Sequence, residues 1–283
     1  MKRHAFLIIS HNEFGVLQRL VDAIDDPRND IYIHFDKKVD VVPGIVVKNS
    51  RLFLCEERLD VRWGDISMLK VEYALWESAY ARGGYLYYHI ISGVHFPLKS
   101  QNDFHRFFDK LDGMSVLEEM ETSYREIDSK IKKYNLFIST FVSTNKFVSK
   151  CSQYLWRIFL RVQKILGYSR HRPLQYKKAS QWVSLTEEAV AYMLSVKDKV
   201  LREYKYTFCG DEFFVASELY NSPLHDKLFF YDKMLKCDFI RANCRVYTIA
   251  DIGDLLSSEC LFARKFSSAD LSVIEEVRKS YLN

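Results

Sequence analysis

The sequence predicts an α/β protein, and two stretches carry that reading. Residues 5–9 (Ala-Phe-Leu-Ile-Ile) are an apolar run of strand length, followed by Phe14, Leu17, Leu20, Val21 and Ile24 at helical spacing. A turn cluster at 25–30 leads into a second strand-like run at 31–35, closed by Asp36-Lys37-Lys38. Such a strand, helix, strand unit predicts a parallel pair with a right-handed crossover. It places His11 and Asp36 at neighbouring carboxyl ends of strands, where α/β sheets bind ligands. The second stretch, Tyr85 to Ile91, reads as a buried strand running into Ser92-Gly93-Val94-His95-Phe96-Pro97, a polar loop fixed by Gly and Pro at the end of the sheet.

The remaining elements follow in order. Residues 52–54 read as a third strand. Asp65 is placed to cap a helix whose Ile66, Leu69, Tyr73, Trp76 and Tyr80 share one face, and Gly83-Gly84 stops it. Residues 181–185 read as a short strand, and 187–200 as a helix with Thr186 as its N-cap. The tail carries a strand-like Val246-Tyr247, an acidic connector (Asp251, Asp254, Glu259) and the cluster Leu261 to Phe266. No repeat, low-complexity tract or linker divides the chain, so a single domain over 1–283 is expected.

At 283 residues, 48% hydrophobic and 28% charged, the composition is that of a globular protein with a sizeable core. No apolar run reaches the 18 or so residues of a membrane span, and the first strand begins where a secretory signal would stand. Six cysteines lack CxxC or zinc-ligand spacing, which predicts free thiols in a reducing compartment and hence a cytoplasmic protein.

Charge is unevenly spread. From 129 to 186 there is no Asp or Glu but twelve Lys or Arg; with the whole chain at only +4, that segment's +12 leaves the remainder near −8. Within it, Tyr154, Leu155, Trp156, Ile158, Phe159, Val162 and Ile165 alternate with Arg157, Arg161 and Lys164, the pattern of an amphipathic interfacial helix. Contact with an anionic membrane and a core helix with solvated cations are both open on this pattern. Nucleic acid is not an expected partner.

The most chemically suggestive residues are Asp211 and Glu212, set between Gly210 and a run of aromatic and apolar neighbours from Tyr206 to Val215. A buried, unpaired carboxylate costs several kcal/mol, so these acids are either paired or held as proton acceptors. A glycosidase pair is disfavoured. Adjacent residues point to opposite faces of a strand and diverge by about 100° on a helix, so they do not flank one glycosidic bond.

Six ordered blocks, AFLIISHNEFGVLQRLVDAI with IYIHFDKK, RWGDISMLKVEYALW, YLYYHIISGVHFPLKS, SQWVSLTEEAVAYM, GDEFF and VYTIADIGDLLSSECLFARKF, give the chain a resemblance to a known family. It resembles the core-2/I-branching β-1,6-N-acetylglucosaminyltransferases, whose relatives include peptide O-xylosyltransferases. The resemblance spans nearly the whole length, apart from a basic, aromatic-rich insertion at about 129–178. It implies a GT-A-type nucleotide-sugar-binding fold, a mixed central sheet flanked by helices. It also implies an inverting, metal-independent transfer of a sugar, N-acetylglucosamine foremost, from a UDP-sugar to a hydroxyl of a glycan or lipid-linked glycan. Like such relatives, the chain contains no Asp-x-Asp, so fixed cations in place of a divalent ion would meet the leaving diphosphate.

By the same resemblance Glu212 is the general base, and His11 and Asp36 lie beside the uridine. Lys265 is the diphosphate lysine, with Arg245 or Arg241 as its partner. Ser92, Gly93, His95 and Asp211 fall at the acceptor or sugar, and Trp182 and Trp63 are candidates for stacking on sugar faces or core residues. His95 stands where relatives carry Asp. The animal Golgi enzymes are similar in the catalytic core alone, since no membrane anchor or disulfide-bonded stem is recognised here, and a bacterial-type cytoplasmic enzyme building a surface glycan, free or peripheral on the inner face of the membrane, is the closer fit. Two other readings stay open: a xylosyl or other UDP-sugar transferase, and a non-catalytic membrane- or glycan-binding module using residues 129–178.

Overall fold

The computed structural model describes residues 3–170, 174–240 and 243–282. The amino-terminal half builds the unit anticipated from its apolar runs. Strand β1 (Arg3–Ser10), helix α1 (Phe14–Ile24), β2 (Asn29–Phe35) and β3 (Arg51–Leu54) precede helix α2 (Ser67–Tyr80) and strand β4 (Tyr85–Ser92). β1 pairs in parallel with both β2 and β4. Alternate β1 residues point to opposite faces. Ala5, Leu7 and Ile9 join a core with α2, whereas Phe6 and Ile8 join one with α1, each strand residue from 5 to 8 being fully buried. Covering of both faces is why the run is uniformly apolar, and each such side chain contributes about 1.5–3 kcal/mol by leaving water.

Asp65 stands one residue further out than the cap expected of it: Ile66 precedes α2 and makes no side-chain cap, while the Asp65 carboxylate accepts from the Ser67 amide at 3.0 Å and steadies the turn into the helix. Gly83 and Gly84 both adopt positive φ where the helix ends. The short strand β5 (Phe96–Pro97) and helix α3 (Gln101–Asp109) lead to β6 (Ser115–Leu117) and α4 (Tyr124–Lys130). Helix α5 (Lys146–Ile165) lies inside the basic segment, and β7 (Ser184–Thr186) follows it. The strand expected at 181–185 begins later, although Val183 already offers its carbonyl to the Ile90 amide.

The helix expected at 187–200 is capped by Thr186, whose hydroxyl accepts from the Ala189 amide, but divides into α6 (Glu187–Ser195) and α7 (Lys197–Tyr204). The break follows Ser195, whose hydroxyl donates to the Tyr192 carbonyl at 2.7 Å and so competes with the helical ladder. Helix α8 (Phe214–Tyr220) and strand β8 (Leu228–Phe230) complete a mixed sheet ordered β3-β2-β1-β4-β7-β6-β8, in which β7 alone runs antiparallel to its neighbours.

The tail adds β9 (Leu235–Lys236), the hairpin β10 (Phe239–Ile240) and β11 (Asn243–Cys244), helix α9 (Ile252–Leu256), β12 (Phe262–Ala263) and helix α10 (Ser272–Leu282). β12 pairs with β5 and β9, which brings Arg264 and Lys265 beside the carboxyl end of β4. The strand expected at Val246-Tyr247 is not formed. Pairing ends at Cys244, and Tyr247 is instead buried against Phe266, its amide bonded to the Lys265 carbonyl. Among the described residues no helix is long and apolar enough to cross a membrane.

Candidate functional site

The carboxyl edge of the sheet gathers most of the residues singled out by the sequence. β1 ends at Ser10 and β2 at Phe35, and the Asp36 amide donates to the Ser10 carbonyl, fixing the two strand ends together. Asp36 is buried. Its carboxylate accepts from the Lys38 amide and Nζ, both at 2.8 Å, and from the Val61 amide at 3.2 Å. The ion pair with Lys38 thus joins a buried carboxylate to an ammonium that reaches it from the surface. Lys38 also binds Asp60, tying in the loop that continues to Trp63.

His11 stands at the mouth of this edge with much of its residue open to water. Crowding of its ring is the largest influence on its pKa, which lies below 6.5. Asp36 pulls it upward, and Lys38, Arg264 and Lys265 push it down. His11 thus shares the fields of Asp36 and of the two tail cations. Gly93 is required next to it, because a Cβ there would meet Ser10 Oγ at 2.7 Å.

Ser92 and His95 form a closed pair. The Ser92 amide donates to His95 Nδ1 at 3.1 Å and the hydroxyl lies 2.7 Å from the same nitrogen, which assigns the ring proton to Nε2. His95 is buried and Nε2 has no hydrogen-bond partner among the described residues. Burial, and secondarily the charge of Arg264, hold its pKa well below 6.5, so it is a neutral ring in the wall. Trp182 is half-buried between the His95 ring edge, 4.8 Å between centroids, and the Arg264 guanidinium, 4.9 Å over the indole.

The two tail cations differ from the arginines matched by sequence. Arg245 is engaged by Asp238 at 3.0 Å and Asp251 at 2.6 Å, so its charge is balanced locally. Arg241 lies outside the described residues. Arg264 and Lys265 form no ion pair among the described residues, and Arg264 Nε is buried without a partner. Close by, the Cys237 and Cys244 thiols are hydrogen-bonded across the β10–β11 hairpin. That bond, opposed by burial and aided by Arg264 and Lys265, lowers the Cys244 thiol to about 6.

A second group assembles around the acid pair. Cys209, in the left-handed region at φ 50°, turns the chain into a single 3₁₀ turn, Gly210–Glu212, ahead of α8. The Glu212 carbonyl accepts from the Ala179 amide at 2.8 Å, and Ala179 bridges Glu119, just past the end of β6, so the pair sits on the same sheet edge. The Glu212 carboxylate is partly open. It pairs with Lys130 at 3.1 Å and Lys178 at 3.5 Å, and both lysines also hold Glu126, at 2.8 and 2.9 Å. Against the desolvation that would raise it, these two hydrogen bonds bring Glu126 to about 2.

Asp211 turns inward: its Oδ1 is buried without a hydrogen-bond partner among the described residues, and burial, then the Glu212 charge, raise its pKa to about 7. Its charge also bears on Glu72, a fully buried acid that accepts from Gln181 at 2.9 Å and is held protonated by desolvation. Trp63 is exposed. Its ring meets the edge of Phe208 at 5.4 Å, and Gly64 (φ 72°) leaves the room that Phe208 occupies. The loop after β3 thus links the two groups, joined to Asp36 through Lys38 and Asp60 and running on to Gly64. Beside them opens a cleft of about 570 Å³ lined by Glu119, Thr122, Tyr176, Lys177, Lys178 and Tyr231 among others.

Three participants were not singled out by sequence: the clasp residues Lys130, Lys178 and Glu126. The only signal of the two lysines was the acid-free stretch itself, and Glu126 lies just before it with no signal of its own. Among the described residues no group of three or more His, Cys, Asp or Glu has a metal-ligating arrangement.

Residues 4–233 match the family model described as Core-2/I-Branching enzyme. The chain is similar to xylosyltransferase 2 of Canis lupus familiaris, 23% identical over 237 residues; the match takes in 80% of this chain and 25% of that protein, so the chain spans about a quarter of its relative's length. Among solved structures, mouse xyloside xylosyltransferase 1 in its apo form aligns over 93% of this chain and 97% of its own with a TM-score of 0.38 and 8% identity. The 4-diphosphocytidyl-2C-methyl-D-erythritol synthase of Anaerococcus prevotii aligns over 71% and 76% with a TM-score of 0.31 and 12% identity.

Proposed function

Since the chain belongs to the Core-2/I-Branching enzyme family, we propose that it is an inverting glycosyltransferase of GT-A type. It passes a sugar from a UDP-sugar donor to a hydroxyl of a glycan or lipid-linked glycan on the cytoplasmic face of a membrane. N-Acetylglucosamine is the first donor sugar to test, and xylose, the sugar in the names of its relatives, the second.

The observation that carries this reading is the placement of Glu212. A partly open carboxylate, kept in position by Lys130 and Lys178, shares the ligand-binding edge of the sheet with His11, Asp36, Arg264 and Lys265. Glu212 takes the proton of the acceptor hydroxyl as that oxygen attacks the anomeric carbon from the face opposite UDP. The bond to the diphosphate breaks, the configuration inverts, and the proton rests on Glu212.

Charge on the departing diphosphate needs stabilisation. Arg264 and Lys265, which form no ion pair among the described residues, supply it without a divalent ion, and Arg264 takes the place that sequence matching gave to Arg245 or Arg241. His11 and Asp36 hold the uridine, and Trp182, steadied by His95 and Arg264, presents an edge to the donor. Ser92 and Gly93 shape that wall, with His95 acting through Trp182. Trp63 sits on the acceptor side. A second reading, in which Asp211 accepts the proton, is favoured by its pKa near 7 and its orphaned Oδ1.

The proposal is tested by thermal shift with UDP, UDP-N-acetylglucosamine, UDP-xylose and UDP-galactose in EDTA, with Arg264→Ala alongside. Stabilisation by UDP in EDTA that Arg264→Ala diminishes is expected. A UDP shift seen only with added Mg²⁺ or Mn²⁺ refutes the fixed-cation scheme.

A further inference from the structure

Helix α5 is amphipathic the wrong way round for a core helix. Its buried face is polar or hydrogen-bonded: Ser152 and Gln163 are buried, Ser149 donates to the Phe141 carbonyl, and Trp156 Nε1 donates to Asn135 Oδ1 at 2.8 Å. Its apolar stripe faces solvent. Phe147, Tyr154, Leu155, Ile158, Val162 and Ile165 are all exposed, Phe147 by 75% and Ile165 by 83%.

At about 100° per residue these six side chains fall within a sector of roughly 100°, while Lys146, Lys150, Arg157, Arg161 and Lys164 occupy a separate sector of about 60° along one flank. None of these five cations pairs with an acid among the described residues, whereas Lys130, Lys133, Lys177 and Lys178 in the same segment all do. The segment's unbalanced charge is therefore concentrated on α5, beside its bare apolar stripe.

We propose that α5 docks the protein on an anionic membrane surface, lying flat with its apolar sector in the headgroup boundary and its basic flank on lipid phosphates. Charge decides between this occupant and a second copy. Helix α5 carries no acid, so two identical α5 faces meeting about a twofold axis would leave the five cations of each without a partner, whereas a phosphate-rich surface neutralises them.

The far side of the same helix supports the acid pair. Trp156 packs on Phe208 at 5.5 Å, and Lys130, which clasps Glu212, stands 5.8 Å over that Phe208 ring. A docked α5 therefore holds Glu212 close to the bilayer, suiting an acceptor carried on lipid; that consequence alone rests on the glycosyltransferase reading.

The test is co-sedimentation of the full chain with phosphatidylcholine vesicles, with and without phosphatidylglycerol, in the absence of any donor, so its outcome does not depend on catalysis. Binding to the anionic vesicles is expected, weakened by salt. Arg157→Gln/Arg161→Gln should lower the partition coefficient about fivefold per cation, roughly 25-fold together, and Ile158→Glu/Ile165→Glu should lower it at least about tenfold. Both variants should melt like the parent, since the changed positions face solvent. Absence of binding to anionic vesicles, or equal binding by parent and both variants, overturns the proposal. So does a concentration-dependent dimer on gel filtration that Ile158→Glu/Ile165→Glu disperses, which would assign the face to a second copy.

Discussion

Asp211→Asn should stabilise the protein, and do so more at high pH than at low. The aspartate titrates near 7 in the fold against 3.8 when unperturbed, because its side chain is desolvated and faces the Glu212 charge. A carboxyl with a raised folded pKa makes the native state bind the extra proton, so stability falls as pH rises from about 4 to 7 and the full cost applies above 7. Three pH units at about 1.4 kcal/mol each give a ceiling of about 4 kcal/mol. Between pH 5 and pH 8.5 the cost grows by about 2.5 kcal/mol on the same linkage, and by about half of that once the remaining solvent access of the residue is allowed for. Asparagine keeps the shape and abolishes the titration. Urea unfolding of parent and variant at the two pH values isolates this term, because any pH-independent effect of the substitution cancels in the difference. The expected gain of Asp211→Asn over the parent is larger at pH 8.5 by about 1–2.5 kcal/mol. A gain that is constant with pH would refute the assignment of Asp211 as a desolvated acid, and with it the second reading of the proton acceptor.

Other consequences follow from the same geometry. Gly64→Ala should cost at least about 2 kcal/mol, since φ is 72° and a Cβ would lie 2.7 Å from the Phe208 ring, itself wedged against Trp63, Phe141 and Trp156; a melting temperature unchanged within a degree or so contradicts this. Cys244, with its thiol at about 6, should be the cysteine alkylated fastest by iodoacetamide at pH 7, as read by peptide mass spectrometry, and Cys237→Ser should slow it.

The amino-terminal half was legible because its signals are local. Five apolar residues of β1 and the spacing of Leu17, Leu20, Val21 and Ile24 specify strand and helix without outside help, and the strand ends then place His11 and Asp36. Glu212 was visible as an acid out of place among aromatics. What surrounds it was not, because Lys130, Lys178 and Glu126 reach it from 82, 34 and 86 residues away, and nothing in their own neighbourhoods marks them.

The tail shows the same limit. Arg264 meets Trp182, and its charge is felt at His11, only because β12 pairs with β5 and β9, a long-range ladder of two residues with no periodicity to read. Arg245, matched by sequence order, lies beside Asp238 and Asp251, and those acids claim it. The helix at 146–165 was legible as amphipathic, but which way its apolar face pointed required the hydrogen bonds of Ser149, Trp156 and Gln163.

The central claim is that Glu212 accepts the acceptor's proton. Its most direct test is the turnover of Glu212→Gln with UDP-N-acetylglucosamine or UDP-xylose and a panel of hexose and N-acetylhexosamine glycosides, alongside its UDP-induced melting shift. The account predicts a fall in kcat of about 100-fold or more with the UDP shift preserved. Full kcat in Glu212→Gln would contradict it.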